Sequence, residues 1–251
     1  MKPSSTGRVH SVESFGTVDG PGIRMVIFLQ GCPFRCRFCH NPDTWSPEGG
    51  TEMTVEELLS AYERNRSFYK KGGLTVSGGE PLLQLPFLTA LFAEAKRRGI
   101  STCLDTAGAS YRSDRRTEYE ELLSHTDLVL LDFKHSDPEG HRNLTGCSNA
   151  APLAFASLLD EQSIPMVIRH VLVPGITDTP EQLSGIGRQM RQFGNIVGLE
   201  VLPYHTMGIA KYQALDIPYS LPELPALTPA DASRARAVIL AAYRKEEGRQ
   251  A

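Results

Sequence analysis

The sequence predicts an α/β fold built on a parallel sheet: a partial (β/α)6 barrel of the TIM type, open on one side. Three observations carry this. Short β-rich runs alternate with helical stretches from Arg24 onward, six times in all. Several of those runs, such as "LVLL" at 128–131, are continuously apolar, as strands covered on both faces require. Six units fall short of the eight that close a barrel.

The elements follow in order. "RMVIFLQ" from Arg24 reads as the first strand and runs into a cysteine loop. "TVEELLSAYERN" reads as a helix, opened by Thr54 with Glu57 three residues on, a capping-box spacing. "GLTVSG" from Gly73 is the second strand, and "PFLTALFAEAKRRG" is an amphipathic helix ending in basic residues and Gly99. "STCLDT" from Ser101 is the third strand, before the helix "EYEELLSH". "DLVLLDFK" from Asp127 and "PMVIRHVLVPG" from Pro165 are strands flanking the helix "APLAFASLLDEQ". "PEQLSGIGRQMRQFG" is a helix, and "VGLEVLPYH" from Val197 is the sixth strand. The Pro-rich "DIPYSLPELPALTP" reads as a loop leading into a last helix, "TPADASRARAVILAAYRKE". The expected organisation is one domain over 1–251, with an N-terminal extension, 1–23, packed on the barrel and a C-terminal loop and helix over 213–251.

Composition narrows the function. Apolar residues make up 41% of the 251 and charged residues 22%, ordinary for a globular chain large enough to bury its own core. A net charge of −3 offers no bulk field for nucleic acid or an anionic membrane. No apolar run is long enough to span a bilayer, and "MKPSSTGRVHSVESFG" lacks a secretory h-region. The expectation is a cytoplasmic protein with reduced thiols, so clustered cysteines read as metal or redox ligands.

The chemistry-bearing residues sit at strand ends. Strand two ends in Ser77-Gly78-Gly79-Glu80, strand three in Asp105-Thr106, strand four in Asp132-Phe133-Lys134. Strand five carries Arg169 and His170, and strand six ends in Tyr204-His205. Parallel α/β folds gather the carboxyl ends of their strands on one face, where ligands bind. These groups are therefore expected to converge.

"GCPFRCRFCHNPDTW" holds Cys32, Cys36 and Cys39 in C-x3-C-x2-C spacing. Four chemistries compete for it. A zinc site would use the three cysteines and His40, but adjacent Cys39 and His40 rarely reach one ion. Haem attachment matches Cys36 to His40 but leaves Cys32 idle. Three packed thiols without a cofactor sit poorly among Pro33, Arg35 and Arg37. A [4Fe–4S] cluster on three thiolates keeps one iron open for a small chelating molecule.

C-x3-C-x2-C after a first strand resembles the signature of the radical S-adenosylmethionine enzymes. The stretches "VHSVESFGTVDGPGIRMVIFLQGCPFRCRFCHNPDTW", "VSGGEPLLQ", "CLDTAG", "LVLLDFK", "VIRHVLVPG" and "LPYH", in that order to about residue 212, are similar to the activases of pyruvate formate-lyase. Related activases carry a cysteine-rich insert after the loop. Here Trp45 runs directly into "SPEGGTEMTVEELL", and only Cys103 and Cys147 remain, too few for a second cluster.

The resemblance implies a [4Fe–4S] cluster on Cys32, Cys36 and Cys39, whose open iron takes the amino and carboxylate groups of S-adenosylmethionine. It implies reductive cleavage of that molecule to methionine and a 5′-deoxyadenosyl radical, which takes a Cα hydrogen from a glycine of pyruvate formate-lyase. The implied S-adenosylmethionine contacts are Phe38, Cys39, His40, Gly78, Gly79, Glu80, Asp132, Phe133, Lys134 and His205. Asp105, Thr106 and Asp132 would hold a monovalent cation. Asp19, Gly20 and Arg169 would face the protein substrate, with Arg24 anchoring the Gly-Pro-Gly turn. Reduced flavodoxin or ferredoxin would supply the electron to a monomeric enzyme. The rivals are a radical enzyme with another glycyl-radical partner or a small-molecule substrate, and a zinc-binding interaction module.

Overall fold

A computed structural model describes residues 5–245. Residues 1–4 of the expected N-terminal extension and 246–251 of the expected C-terminal helix and tail lie outside the described residues. Six strands run parallel in one sheet, as the alternation implied: β2 (Arg24–Leu29), β4 (Gly73–Gly78), β5 (Thr102–Thr106), β6 (Leu128–Asp132), β7 (Met166–Leu172) and β8 (Ile196–Pro203). The sheet stays open, with β8 at one edge.

The other edge departs from the expectation. The segment before Arg24, expected as an extension packed on the barrel, includes a strand that was not expected, β1 (Thr6–Gly16), antiparallel to β2. A short β3 (Thr51–Thr54) pairs antiparallel with β1, giving eight strands in the order β3-β1-β2-β4-β5-β6-β7-β8. The reason lies in the side chains. β1 is largely solvated, with Val9 at 2% exposure an exception, and its polar residues mask a strand near a sheet edge.

Helices cover the sheet: α1 (Val55–Arg64), α2 (Leu85–Arg97), α3 (Arg116–Leu123), α4 (Pro138–Thr145), α5 (Ala150–Glu161), α6 (Pro180–Met190), α7 (Ile209–Ala214) and α8 (Pro229–Arg244). The Thr54–Glu57 capping box forms, and Thr228 with Asp231 makes a second one at α8. The sequence reading did not include α4 or α7. Both are short, and both press on the cysteine loop.

Two apolar clusters result. The larger fills the space between sheet and helices around Ile27, Val76, Leu104, Leu131 and Ile168. The smaller sits at the carboxyl ends of the strands, where Phe34, Cys36, Phe38, Leu144, Val173 and Tyr204 pack together. This second core makes the cysteine loop part of the folded body.

Candidate active site

The strand ends converge on one cavity of about 530 Å³. Its wall includes Cys32, Cys36, Cys39, Phe38 and His40 from the cysteine loop. Gly78, Gly79, Asp105, Thr106, Asp132, Lys134, Arg169 and His205 join them from β4 through β8, and Asp19 from the turn before β2.

The loop is pinned on several sides. Arg35 N and Arg37 N donate to Thr145 O and Leu144 O at 2.7 and 2.9 Å, which satisfies the free carbonyls at the end of α4. Gly31 N and Cys32 N donate to Thr44 O and Trp45 O, closing the loop on itself. The Arg35 guanidinium lies 4.9 Å from the Trp45 ring centroid. Gly78, the last residue of β4, and Gly79 after it bring the strand's exit onto β2 and the start of the loop. A Cβ on Gly78, whose φ is +122°, would meet Leu29 N at 2.2 Å, and one on Gly79 would meet Gly31 O at 2.2 Å.

Burial pushes the Cys32 and Cys36 thiols up to about 12, with the Glu80 charge adding at Cys32 and Lys134 opposing at Cys36. Cys39 is raised by the same desolvation, offset by the Asn41 amide 3.4 Å from its sulfur and by the Trp45 indole directed at it. Desolvated thiols become thiolates when a cationic metal group compensates their charge. Among the described residues, no three His, Cys, Asp or Glu side chains gather as the ligands of a single ion would. A mononuclear zinc site needs that gathering. A cubane does not, because each thiolate binds a different iron. The donor set fits the cluster.

The opposite wall is charged and paired. Arg169 Nη1 lies 3.1 Å from Asp105 Oδ2, and its Nε 3.2 Å from Glu200 Oε2, though that N–H is not aimed at the carboxylate. Ser77 Oγ donates to Asp105 at 2.7 Å. Burial works against the Arg169 charge, but Asp105, Asp132 and Glu200 together hold its pKa above the ordinary value. Lys134 Nζ pairs with Asp132 Oδ2 at 2.7 Å and stands 5.5 Å from the Phe38 ring centroid. Burial likewise disfavours its ammonium, and Asp132 and Cys36 reverse the effect. At the mouth, His40 stacks on His205 with centroids 3.8 Å apart. Burial, and then the charge of His205, lowers His40 to about 4, so it is neutral at pH 7. His205 Nδ1 is buried without a partner among the described residues, an orphan on a wall that can take a polar ligand.

Three expected contacts lie off this wall. The Glu80 side chain is fully buried behind it, accepting from Thr106 Oγ1 at 2.5 Å and from the amides of Leu82, Ala107 and Ala109. It fastens the Ser-Gly-Gly-Glu turn to the exit of β5. Burial raises its pKa, which those donors only partly counter. Phe133 is 3% exposed and packs on Phe193, since strand alternation sends Asp132 and Lys134 one way and Phe133 the other. Gly20, with φ +112°, sits beneath the cavity, where a Cβ would come 3.1 Å from Arg24 Cδ and 3.3 Å from Cys103 Sγ. Arg24 holds this turn, as expected, by donating to Pro21 O at 3.3 Å, and it also bonds Thr75 Oγ1, Leu74 O and Ser101 O.

Asp105 Oδ2 is engaged by Arg169 and Ser77, Thr106 Oγ1 by Glu80, and Asp132 Oδ2 by Lys134. Asn41, Thr44, Ala107, Val171, Leu202 and Pro203 also line the cavity without having been singled out. Their adjacency to the named motifs was the only signal available.

Comparisons with known proteins agree with this geometry. A family model described as a 4Fe-4S single cluster domain matches residues 18–151. A Staphylococcus aureus (strain USA300) protein, the pyruvate formate-lyase-activating enzyme, is 47% identical over 225 residues, covering 88% of this chain and 90% of its own. A solved domain of the pyruvate-formate lyase-activating enzyme from Bacteroides vulgatus superposes with a TM-score of 0.55 at 20% identity, covering 68% of this chain and 94% of its own. Streptococcus suis SuiB, solved with S-adenosylmethionine bound, superposes at 0.61 with 15% identity, covering 83% of this chain and 44% of its own. The two structures share the fold. The Staphylococcus relative shares nearly half its residues along almost the whole length, and so the chain belongs to the pyruvate formate-lyase-activating enzyme family of radical S-adenosylmethionine oxidoreductases.

Proposed function

We propose that this protein activates pyruvate formate-lyase by removing a Cα hydrogen from a glycine of that partner. When bound, the reduced cluster and S-adenosylmethionine supply the 5′-deoxyadenosyl radical that does so. One observation carries the reading: three desolvated cysteines and a set of polar strand ends line the same cavity, of about 530 Å³. Cys32, Cys36 and Cys39 are the cluster ligands. Three thiolates for four irons leave one iron to the amino-acid end of S-adenosylmethionine.

The remaining residues bind and orient. The backbone of Gly78 and Gly79 receives the methionine amino group, with Glu80 acting from behind by holding the turn. Lys134 reaches the carboxylate, and Asp132 sets the position of Lys134. Phe38, His40 and His205 frame the nucleoside, for which the orphan His205 Nδ1 is an available partner. Phe133 contributes through its backbone. Asp19 and Arg169 face the glycine loop of the partner, with Gly20 supporting Asp19 from below. A monovalent cation at Asp105, Thr106 and Asp132 would share these side chains with Arg169, Glu80 and Lys134, their present partners. The chain works as a single-domain cytoplasmic monomer, and reduced flavodoxin or ferredoxin donates the electron.

The test is electron paramagnetic resonance of the anaerobically reconstituted, chemically reduced protein. A [4Fe–4S] signal that changes on adding S-adenosylmethionine, followed by a glycyl radical on pyruvate formate-lyase, is the expected result. Zinc in place of iron would overturn the reading. A cluster that forms and responds without any radical on that partner would redirect it to another glycyl-radical protein.

A further inference from the structure

The turn between β1 and β2, residues 17–23, brings Asp19 to the cavity wall. Among the described residues it carries no backbone–backbone hydrogen bond of its own. Its carbonyls are taken by side chains from three strands instead. Arg169 Nη2 on β7 reaches Val18 O at 3.5 Å, Thr75 Oγ1 on β4 donates to Asp19 O at 2.6 Å, and Arg24 Nη1 on β2 donates to Pro21 O at 3.3 Å. The Thr75 bond is the shortest of the three, and it lands on the residue that faces the cavity.

Thr75 is fully buried within β4. Its neighbours Leu74 and Val76 join the core under the helices, so alternation turns Thr75 to the opposite face. Valine has the same shape without the hydroxyl, so a threonine at such a site must satisfy its oxygen. Arg24 Nε donates to Thr75 Oγ1 at 2.7 Å, which uses that oxygen as an acceptor and leaves the hydroxyl hydrogen for Asp19 O. The order is therefore guanidinium to hydroxyl to carbonyl. Arg24 is 2% exposed, and its other bonds, to Leu74 O, Ser101 O and Pro21 O, also go to neutral oxygens. A charged donor polarises the hydroxyl it binds and strengthens that hydroxyl's own bond. The far end of the turn is seated separately: a Cβ on Gly22, whose φ is +75°, would meet Lys71 O at 2.0 Å.

We propose that Thr75 is a positioning residue for the partner's glycine: its hydroxyl relays the hold of the buried Arg24 guanidinium to the Asp19 carbonyl and so fixes where Asp19 meets the incoming loop. The proposal rests on the reading above, in which Asp19 faces the glycine loop. Thr75 does not itself line the cavity, so it acts only through the turn.

The experiment compares reconstituted wild-type protein with Thr75→Val, which keeps the shape and removes both bonds, and with Thr75→Ser, which keeps both. It reads amide hydrogen exchange across residues 17–23, the affinity for S-adenosylmethionine, and KM and kcat for a peptide spanning the glycine loop of pyruvate formate-lyase. Thr75→Val is expected to exchange faster across 17–23 and to raise the peptide KM about tenfold, the equivalent of one hydrogen bond, with kcat and S-adenosylmethionine affinity within about twofold. Thr75→Ser is expected to match wild type in every readout. A folded Thr75→Val protein with wild-type exchange or a wild-type KM would overturn the proposal. So would equal losses in KM, kcat and cofactor affinity, the mark of a general loosening, or a Thr75→Ser protein that behaves like Thr75→Val. If Thr75→Val does not fold, Thr75→Cys, a weak donor and acceptor at the same place, decides on the same terms. Wild-type protein that puts no radical on the peptide or on the whole partner would sink the functional reading, and the exchange comparison would then decide by itself whether Thr75 holds the turn.

Discussion

On one side of the cavity the cysteine loop presents Phe34, Phe38 and three thiols in a small apolar core of their own. On the other side, Asp105, Asp132, Lys134, Arg169 and Glu200 stand in ion pairs. Both walls are largely withdrawn from solvent, but they manage charge differently. The paired wall carries its compensation within the chain. The cysteine wall does not, and its thiols are raised by burial until a cationic group arrives. The paired wall is therefore preorganised by folding alone, whereas the cysteine wall acquires its final electrostatics on loading.

The largest effect should come from Cys36→Ala. It removes one of the three proposed ligands, and we expect loss of the cluster and of all S-adenosylmethionine cleavage, read as iron and sulfide content and as 5′-deoxyadenosine formed. A variant retaining both would break the assignment of the cysteine wall. Arg169→Ala should come next. It leaves Asp105 buried without its cation, and breaking such a pair costs about 3–5 kcal/mol. Chemical denaturation should show this loss, and partner activation should fall more than S-adenosylmethionine binding. A stability change within a few tenths of a kcal/mol would mean that the paired wall is not preorganised by its ion pairs.

Lys134→Ala should leave iron content unchanged and weaken S-adenosylmethionine binding. Losing one charge-assisted hydrogen bond corresponds to about tenfold to hundredfold in affinity. Unchanged affinity by isothermal titration would remove Lys134 from the binding site. The smallest effect concerns His170, fully buried behind the paired wall with Nδ1 2.7 Å from Phe133 O. Burial lowers its pKa, so on acidification the unfolded chain takes up this proton first. Its contribution to stability is complete above about pH 6.5 and is lost as pH falls below that value, by at most about 1.4 kcal/mol per pH unit. Denaturation midpoints at pH 7.5 and 5.5 should differ less in His170→Gln. An equal slope would place the effect on another histidine.

Much of this was legible in the primary structure for local reasons. The Thr54–Glu57 capping box, the Gly99 helix stop with φ +68° and the apolar run of β6 depend on neighbours in sequence, and they stand where the residue pattern put them. The C-x3-C-x2-C spacing with its flanking motifs pointed to the 4Fe-4S family, because a motif confined to one loop is written in one stretch. Strand ends bearing Asp105, Asp132 and Arg169 had to converge once the sheet was parallel.

Tertiary structure alone decided the rest. β1 exists as a strand because β2 offers an edge to pair with, and β3 because β1 then offers the next one, which their own polar side chains do not signal. Glu80 looks like a ligand contact in sequence, yet it is drawn behind the turn by four donors, from Thr106, Leu82, Ala107 and Ala109. Asp105, read as a cation ligand, is claimed by Arg169, 64 positions further along the chain and one of the charges that the fold brings to it. α7 carries no motif at all, and its place against the cysteine loop is set by Lys211 reaching Asn41 and Asp43. Periodicity, caps and ligand spacing are short-range and survive in the sequence. Which polar atom satisfies which across the fold is a long-range matter, settled only when burial makes every unpaired group costly.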